Sequence, residues 1–335
     1  MSVKEIQSAD EAVRHQAEVF AAVVGPHVER GQPYALLDFP SHSNIGDSAI
    51  YAGQLAFLDA HVGRRASCVC TCTADLEWLD GTLPADGPIL LHGGGNFGDL
   101  WPHHQKFRHA MLQRYRGRKI VQLAQSIHYG DSAGLDLTAR LIESHGNFTL
   151  LVRDQPSYDL ARARFNCNVQ LCPDAAMVLL KLDPGRAPEM DTLVMLRKDH
   201  EAVHDDIRSW LEEAGYPIED WNDTPVWTLP IRVGWKAART FPNSRISMMY
   251  REAMYRHQAM RRVMTGVRQL ARAKRIIADR LHVHLLSLLL RQPHLVLDNS
   301  YGKISRYIDT WGQDDLTTRI SSLDMLQAAL ARPPR

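Results

Sequence analysis

The feature that most constrains this chain is an alternation. Short apolar runs recur along most of its length and are separated by longer segments of helical character, the pattern of βα units feeding a parallel sheet. The candidate strands of the first half are "YALLDF" (34–39), "ASCVCTC" (66–72), "PILLH" (88–92), "KIVQLAQSI" (119–127), "FTLLVRD" (148–154) and "NVQLCPD" (168–174). The stretch "DPGRAPEM" (183–190), with its prolines and glycine, reads as a boundary. A second series follows in "DTLVMLR" (191–197), "RIIAD" (275–279) and "HLVLDN" (294–299), while 217–241 fits neither pattern. A chain of 335 residues exceeds most single cores. The expected fold class is α/β: two Rossmann-like domains, 1–185 and 186–335, with a cleft between them.

In parallel sheets, ligands collect where strands end and helices begin. The notable motifs all sit at such junctions: "SHSNIGD", "HGGGNFGD", "QSIHY", "RDQPSY", "ADRLHVH" and "DNSYGK". Gly93, Gly95 and Gly98 satisfy the G-x-G-x-x-G spacing of a dinucleotide-binding turn. That fingerprint also asks for an acid about 20 residues further on, to hold the adenosine ribose. Between Asp99 and Asp131 there is no Asp or Glu, which argues against NAD; the basic "RYRGRK" leaves NADP open. Asn96-Phe97-Gly98-Asp99 has a twin in Asn44-Ile45-Gly46-Asp47, so the two loops are expected to share a site of another kind.

"RIIADRLHVHLLSLLL" reads as a strand running into a helix, with Asp279 as the N-cap and Arg280, Leu281 and His282 in the first turn. Unpaired N–H groups at such a helix start favour an anion, Arg280 adds a forked cation, and His282 an imidazole able to carry a proton. His284 lies two positions on, diverges from His282, and is assigned to packing. Arg153 closes a strand, an odd place for a charge unless it faces a cleft, and Lys303 opens another helix. Together Arg153, Arg280 and Lys303 could neutralise a trianion such as a phosphate ester carrying a carboxylate. Asp47 and Asp99 either cap helices or, with Asn44 and Asn96, hold sugar hydroxyls; a carboxylate there could also act as a base. His128 is a further acid–base candidate. Gly94, Gly95 and Ser300 complete the expected substrate-binding set.

Composition places the chain among soluble globular proteins, with 45% hydrophobic and 23% charged residues. Lys and Arg number 39 against 38 acids, so net charge selects no partner and nothing points to nucleic acid. The basic stretches 105–119 and 249–275 are read as solvated faces or as a surface for an anionic substrate or anionic lipid. Five cysteines and no secretory leader suggest a reducing cytoplasm. Cys68, Cys70 and Cys72 would share one strand face, and with no suitably spaced His or Cys pair nearby they are assigned to packing, with no metal site. No apolar run reaches the ~18 residues of a spanning helix, so membrane contact is expected to be peripheral.

"SHSNIGDSAIYAG", "LLHGGGNFGDLWPHHQKFR", "RKIVQLAQSIHY", "RDQPSY", "ADRLHVHLLSLLLRQPHLVLDNSYGK" and Trp311 together resemble the polysaccharide pyruvyl transferase family, in its bacterial exopolysaccharide branch, over roughly residues 34–311. Val283 departs from the pattern, standing where Gly or Ala is expected. The resemblance implies a fold like two-domain GT-B glycosyltransferases. It also implies transfer of pyruvate from phosphoenolpyruvate (PEP) to a sugar as a ketal, without a further cofactor. Arg153, Arg280, Leu281 through its backbone, His282 and Lys303 would line the PEP site, and the acceptor would be a lipid-linked or free oligosaccharide at the inner face of the cytoplasmic membrane. The alternatives are a nucleotide-sugar glycosyltransferase on a similar scaffold and a non-catalytic carbohydrate-binding relative.

Overall fold

The computed structural model describes residues 8–197, 205–221, 244–298 and 302–334. The apolar runs form two parallel sheets. The first contains β1 (Ala35–Leu37), β2 (Cys68–Cys70), β3 (Ile89–Leu91), β4 (Gly94–Gly98), β5 (Ile120–His128), β6 (Phe148–Val152) and β7 (Asn168–Leu171), in the order β2-β1-β3-β5-β6-β7 with β4 beside β5. The second contains β8 (Met190–Met195), β9 (Ile218–Glu219), β10 (Ala273–Ala278), β11 (His294–Val296) and β12 (Thr317–Arg319), in the order β12-β11-β10-β8-β9. The fold is thus mixed α/β. β1, β2, β3 and β11 are buried at every position, as expected where helices cover both faces of a parallel sheet.

The strands are shorter than the apolar runs, and the trimmed ends carry chemistry. β1 stops at Leu37, β6 at Val152 and β7 at Leu171, so Asp38, Arg153 and Asp174 leave the ladder at the carboxyl edge of the sheet. β4 is a correction to the reading of "HGGGNFGD" as a loop opening a helix. Gly94 pairs with Gln125 and Gly98 with His128, and α4 (Pro102–Arg114) begins only afterwards. Glycine permits this close approach: at Gly98, with φ of 119°, a Cβ would stand 1.7 Å from the His128 carbonyl oxygen.

Helices bind the sheets together. α1 (Ala9–Val24) lays Phe20 and Val24 on the first core and Ala9 and Val13 on the second. α2 (Ile45–His61) follows β1, its first turn held by Asn44 Oδ1, which accepts the Gly46 N–H at 2.8 Å. α3 (Leu76–Asp80), α5 (Ser132–His145) and α6 (Gln155–Arg164) complete the helices of the first sheet, and α7 (Asp205–Glu213) covers the outer face of the second. α8 (Arg245–Leu270) follows the boundary stretch in sequence yet serves both cores: Met254, Tyr255 and Ala259 in the first, Val263, Val267 and Leu270 in the second. Its Tyr255 stacks on Phe39 with centroids 4.0 Å apart, worth about 0.5–1.5 kcal/mol beyond area burial. α9 (Leu281–Leu290), α10 (Lys303–Trp311) and α11 (Leu323–Leu330) follow β10, β11 and β12.

Burial also corrects the reading of the two basic stretches as solvated or partner-facing throughout, since part of their charge lies inside the fold. Arg108 is 2% exposed, donates to Gln122 and Asn96, and lies 4.5 Å over the Phe97 ring. Arg251 covers Trp78, Arg256 pairs with Asp59 and Glu252, and Arg275 is buried against Thr192. Among the described residues no helix is long and apolar enough to cross a membrane.

Candidate active site

The carboxyl edges of both sheets open into one cavity of about 470 Å³. Helix starts and strand ends supply its wall: Asn44 and Asp47 from α2, Gly95 and Asn96 from β4, Arg153 beyond β6, Arg197 beyond β8, Asp220 beyond β9, Arg280, Leu281 and His282 at α9, and Lys303 at α10. His42, Trp101, His103 and Trp221 complete much of the rim. The cavity therefore gathers Asn44, Asp47, Gly95, Asn96, Arg153, Arg280, Leu281, His282 and Lys303 from the expected set. Gly94 lies just behind it, where a Cβ would come within 3.3 Å of Asp47 Oδ1.

Three expectations change. Asp99 and His128 are not part of the lining. The Asp99 carboxylate accepts the N–H groups of Gly130 (2.6 Å) and Asp131 (2.9 Å), so it fixes the turn after β5 and caps no helix. Asn44 and Asn96 already have structural partners: Asn44 Oδ1 caps α2, and Asn96 Oδ1 accepts from Arg108 Nη2 (3.0 Å) and Gln125 Nε2 (2.8 Å). Ser300 falls outside the described residues.

Asp174, which sequence reasoning passed over, is the hub of the cationic side. Arg153 donates through Nη1 to Asp174 Oδ2 at 2.7 Å and through Nε to Ser126 Oγ at 2.9 Å. His282 Nε2 stands 3.3 Å from the same Oδ2, an ion-pair contact outside good hydrogen-bond geometry. Burial pushes the Asp174 carboxyl upward, but His282 and Arg153 together hold it well below the usual carboxylate range. α10 braces the cluster: Tyr307 Oη accepts the Asp174 N–H and donates to Gln16 Oε1, while Trp311 Nε1 donates to the Arg153 carbonyl. His282 also rests on α2, so closely that a Cβ at Gly46 would lie 2.4 Å from its Nδ1.

Arg280 is aligned by a second carboxylate, donating through Nε and Nη2 to the two oxygens of Asp220 at 2.7 Å each. Such a fork fixes the guanidinium plane before any ligand arrives. Arg280 also occupies the N-cap position of α9, which corrects the assignment of Asp279 as cap. The Asp279 carboxylate turns instead to the Arg197 N–H, at 3.0 and 3.2 Å, and burial raises its pKa to about 6. Across the cavity Asp47 lies 3.6 Å from His42. Burial would raise the Asp47 pKa, yet His42, His282, His92 and Arg153 bring it below its ordinary value, so it stands as an anion at neutral pH.

Asp174 and Arg197 follow strands β7 and β8, so the strand-end rule that singled out Arg153 reaches them too. Asp220 had no such signal, since β9 is two residues long and lies in the stretch of indistinct pattern.

The fold and site define an α/β enzyme scaffold whose paired sheets gather cations and an imidazole around one cavity. Comparison with known proteins narrows this. The sequence profile of the family described as polysaccharide pyruvyl transferase matches residues 44–301. The chain is 32% identical over 293 residues to the putative pyruvyl transferase EpsO of Bacillus subtilis, spanning 84% of this chain and 86% of the relative. It is 32% identical over 300 residues to pyruvyl transferase 1 of Schizosaccharomyces pombe, spanning 83% and 69%. The crystal structure of the uncharacterized protein KP1_0663 from Klebsiella pneumoniae shares the fold, with a TM-score of 0.57 at 16% identity over 92% of this chain and 99% of that one. The chain belongs to the polysaccharide pyruvyl transferase family. It is an enzyme that transfers pyruvate to polysaccharide, and these matches do not favour the nucleotide-sugar alternative.

Proposed function

We propose that the donor is PEP and the product a cyclic pyruvate ketal on a sugar of an exopolysaccharide repeat unit, with release of phosphate. The observation that carries this reading is the convergence of Arg153, Arg280, Lys303 and His282 on one cavity, with the Asp47 carboxylate in the same wall. His282 donates a proton to the methylene carbon of PEP while a sugar hydroxyl attacks C2 and passes its proton to Asp47. The tetrahedral adduct expels phosphate, and a second hydroxyl of the same sugar attacks C2 to close the ring, its proton passing to the His282 imidazole that gave up its own in the first step. Charge grows on the leaving phosphate, so guanidinium groups already held by Asp174 and Asp220 act mainly in the transition state. PEP is itself the activated donor, and no further cofactor enters the scheme.

In this reading residues 1–185 form the acceptor-side and 186–335 the donor-side Rossmann-like unit of a GT-B-like pair. The enzyme works in the cytoplasm, on a free or lipid-linked oligosaccharide at an anionic membrane surface. The exposed face of α8, with Ile246 (80% exposed), Met249 (64%), Arg261 and Arg268, is the part of the basic stretches that suits such a surface. Incubation of the purified protein with PEP and a panel of glycosides tests the chemistry: one acceptor gains the mass of pyruvate less water, with one phosphate released per transfer. Transfer from a nucleotide sugar with none from PEP overturns it. Co-sedimentation with anionic vesicles but not with neutral ones tests the membrane contact.

A further inference from the structure

Beside the cavity, the turn after β2 meets the start of α4. β2 ends at Cys70, so Cys72 lies past the strand, at the edge of the core that holds Cys68 and Cys70, and is only partly buried. Its Sγ and one imidazole nitrogen from each of His103 and His104 lie within 4.8 Å of one another. Thiolate and imidazole are the donors that zinc prefers, and three protein ligands leave the fourth tetrahedral position for water. We propose that Cys72, His103 and His104 bind one Zn²⁺ ion at the rim of the cavity.

Asp38 gives the cluster a direction. His104 Nδ1 contacts the Asp38 carboxylate at 2.8 and 3.0 Å, with both side chains buried, which leaves Nε2 as the nitrogen for a metal. A carboxylate behind a ligating imidazole fixes its tautomer and orientation and raises its basicity. Asp38 holds this contact from a left-handed backbone conformation, φ of 69°, which costs a non-glycine residue energy and persists where the surroundings demand it. Tetrahedral zinc with these donors needs spacings of roughly 3.3–3.6 Å between ligand atoms, from its bond lengths. His103 is exposed, so rotation of its ring can close the remaining distance. Because His103 also lines the cavity, the ion would tie the 71–75 turn to α4 at the rim. No local spacing signals this site, because the thiol and the imidazoles are 31 or more positions apart and only tertiary folding joins them.

The test uses the full chain, without an affinity tag and stripped by chelator. Calorimetric titration with Zn²⁺ is expected to show one bound equivalent, and Co²⁺ in its place to show thiolate-to-metal charge-transfer absorption. Cys72→Ser should abolish that band, and His103→Ala, at an exposed position, should weaken Zn²⁺ binding at least tenfold while leaving the far-ultraviolet circular dichroism unchanged. Asp38→Asn should weaken binding by about tenfold to a hundredfold, since it removes the group that orients His104. Absence of a stoichiometric Zn²⁺ site in the wild type overturns the proposal. So does wild-type affinity in both Cys72→Ser and His103→Ala, which would place the ion elsewhere.

Discussion

The imidazole of His282 stands 3.3 Å from the Asp174 carboxylate, which binds the Arg153 guanidinium at 2.7 Å. His282 comes from the second sheet and Asp174 from the first, so one buried anion aligns groups contributed by both. This relationship makes Asp174 a positioning residue for the site, although it is absent from the cavity lining.

Asp174→Asn leaves Arg153 buried without its countercharge. Breaking such a buried pair costs about 3–5 kcal/mol, to be read as a lower urea midpoint. The native Asp174 pKa is depressed, so its stabilisation is complete above the unfolded value near 3.8 and is lost as pH falls toward the lower folded value. His282→Ala removes the largest cause of that depression, so the acid-unfolding transition, followed by tryptophan fluorescence, should move to higher pH.

Gly46→Ala places a methyl group 2.4 Å from His282 Nδ1 and must displace the ring. Misplacement by about 1 Å can cost on the order of a hundredfold in rate. The variant should keep its circular dichroism and lose kcat, measured as phosphate release at saturating PEP and acceptor. Unchanged kcat would separate His282 from the chemistry.

Arg280→Ala and Arg153→Ala should each lower kcat/KM for PEP by about a hundredfold or more, about 3 kcal/mol of transition-state stabilisation. Arg280→Lys should recover only part of this, because an ammonium cannot reproduce the fork that Asp220 holds.

Asp279 carries the opposite sign. Burial raises its folded pKa to about 6 from 3.8, so it favours the native state less as pH climbs through that interval, and the penalty is complete above it. Asp279→Asn should therefore raise Tm at pH 8, by at most about 3 kcal/mol of stability, and change it little at pH 4. An Asn oxygen can still accept the Arg197 N–H. Equal Tm differences at both pH values would contradict the burial argument.

The nine apolar runs named from sequence all became strands because period and apolarity are local properties. β4, β9 and β12 were not named: β4 is built on glycines with little apolar signal, and β9 and β12 are two and three residues long. Arg153, Arg280, His282 and Lys303 were legible as charged groups at strand ends and helix starts. Their carboxylate partners were not. Which anion meets Arg280 depends on how Asp220 is carried back over 60 positions, and no local pattern encodes that. The same limit misled the reading of Asp279, which has the residue type and place of a cap but a better acceptor role at Arg197.

The bond from Tyr307 to Gln16 joins residues 291 positions apart. A ribosome adding about 5–20 residues per second emits α1 roughly 15–60 s before its last partner. Phe20 and Val24 can settle on the first sheet during synthesis, while Ala9 and Val13 must wait for α9. The cavity therefore cannot close until α9 and α10 have emerged, and until then the amino-terminal turns of α1 present an unsatisfied greasy edge of the kind a chaperone recognises.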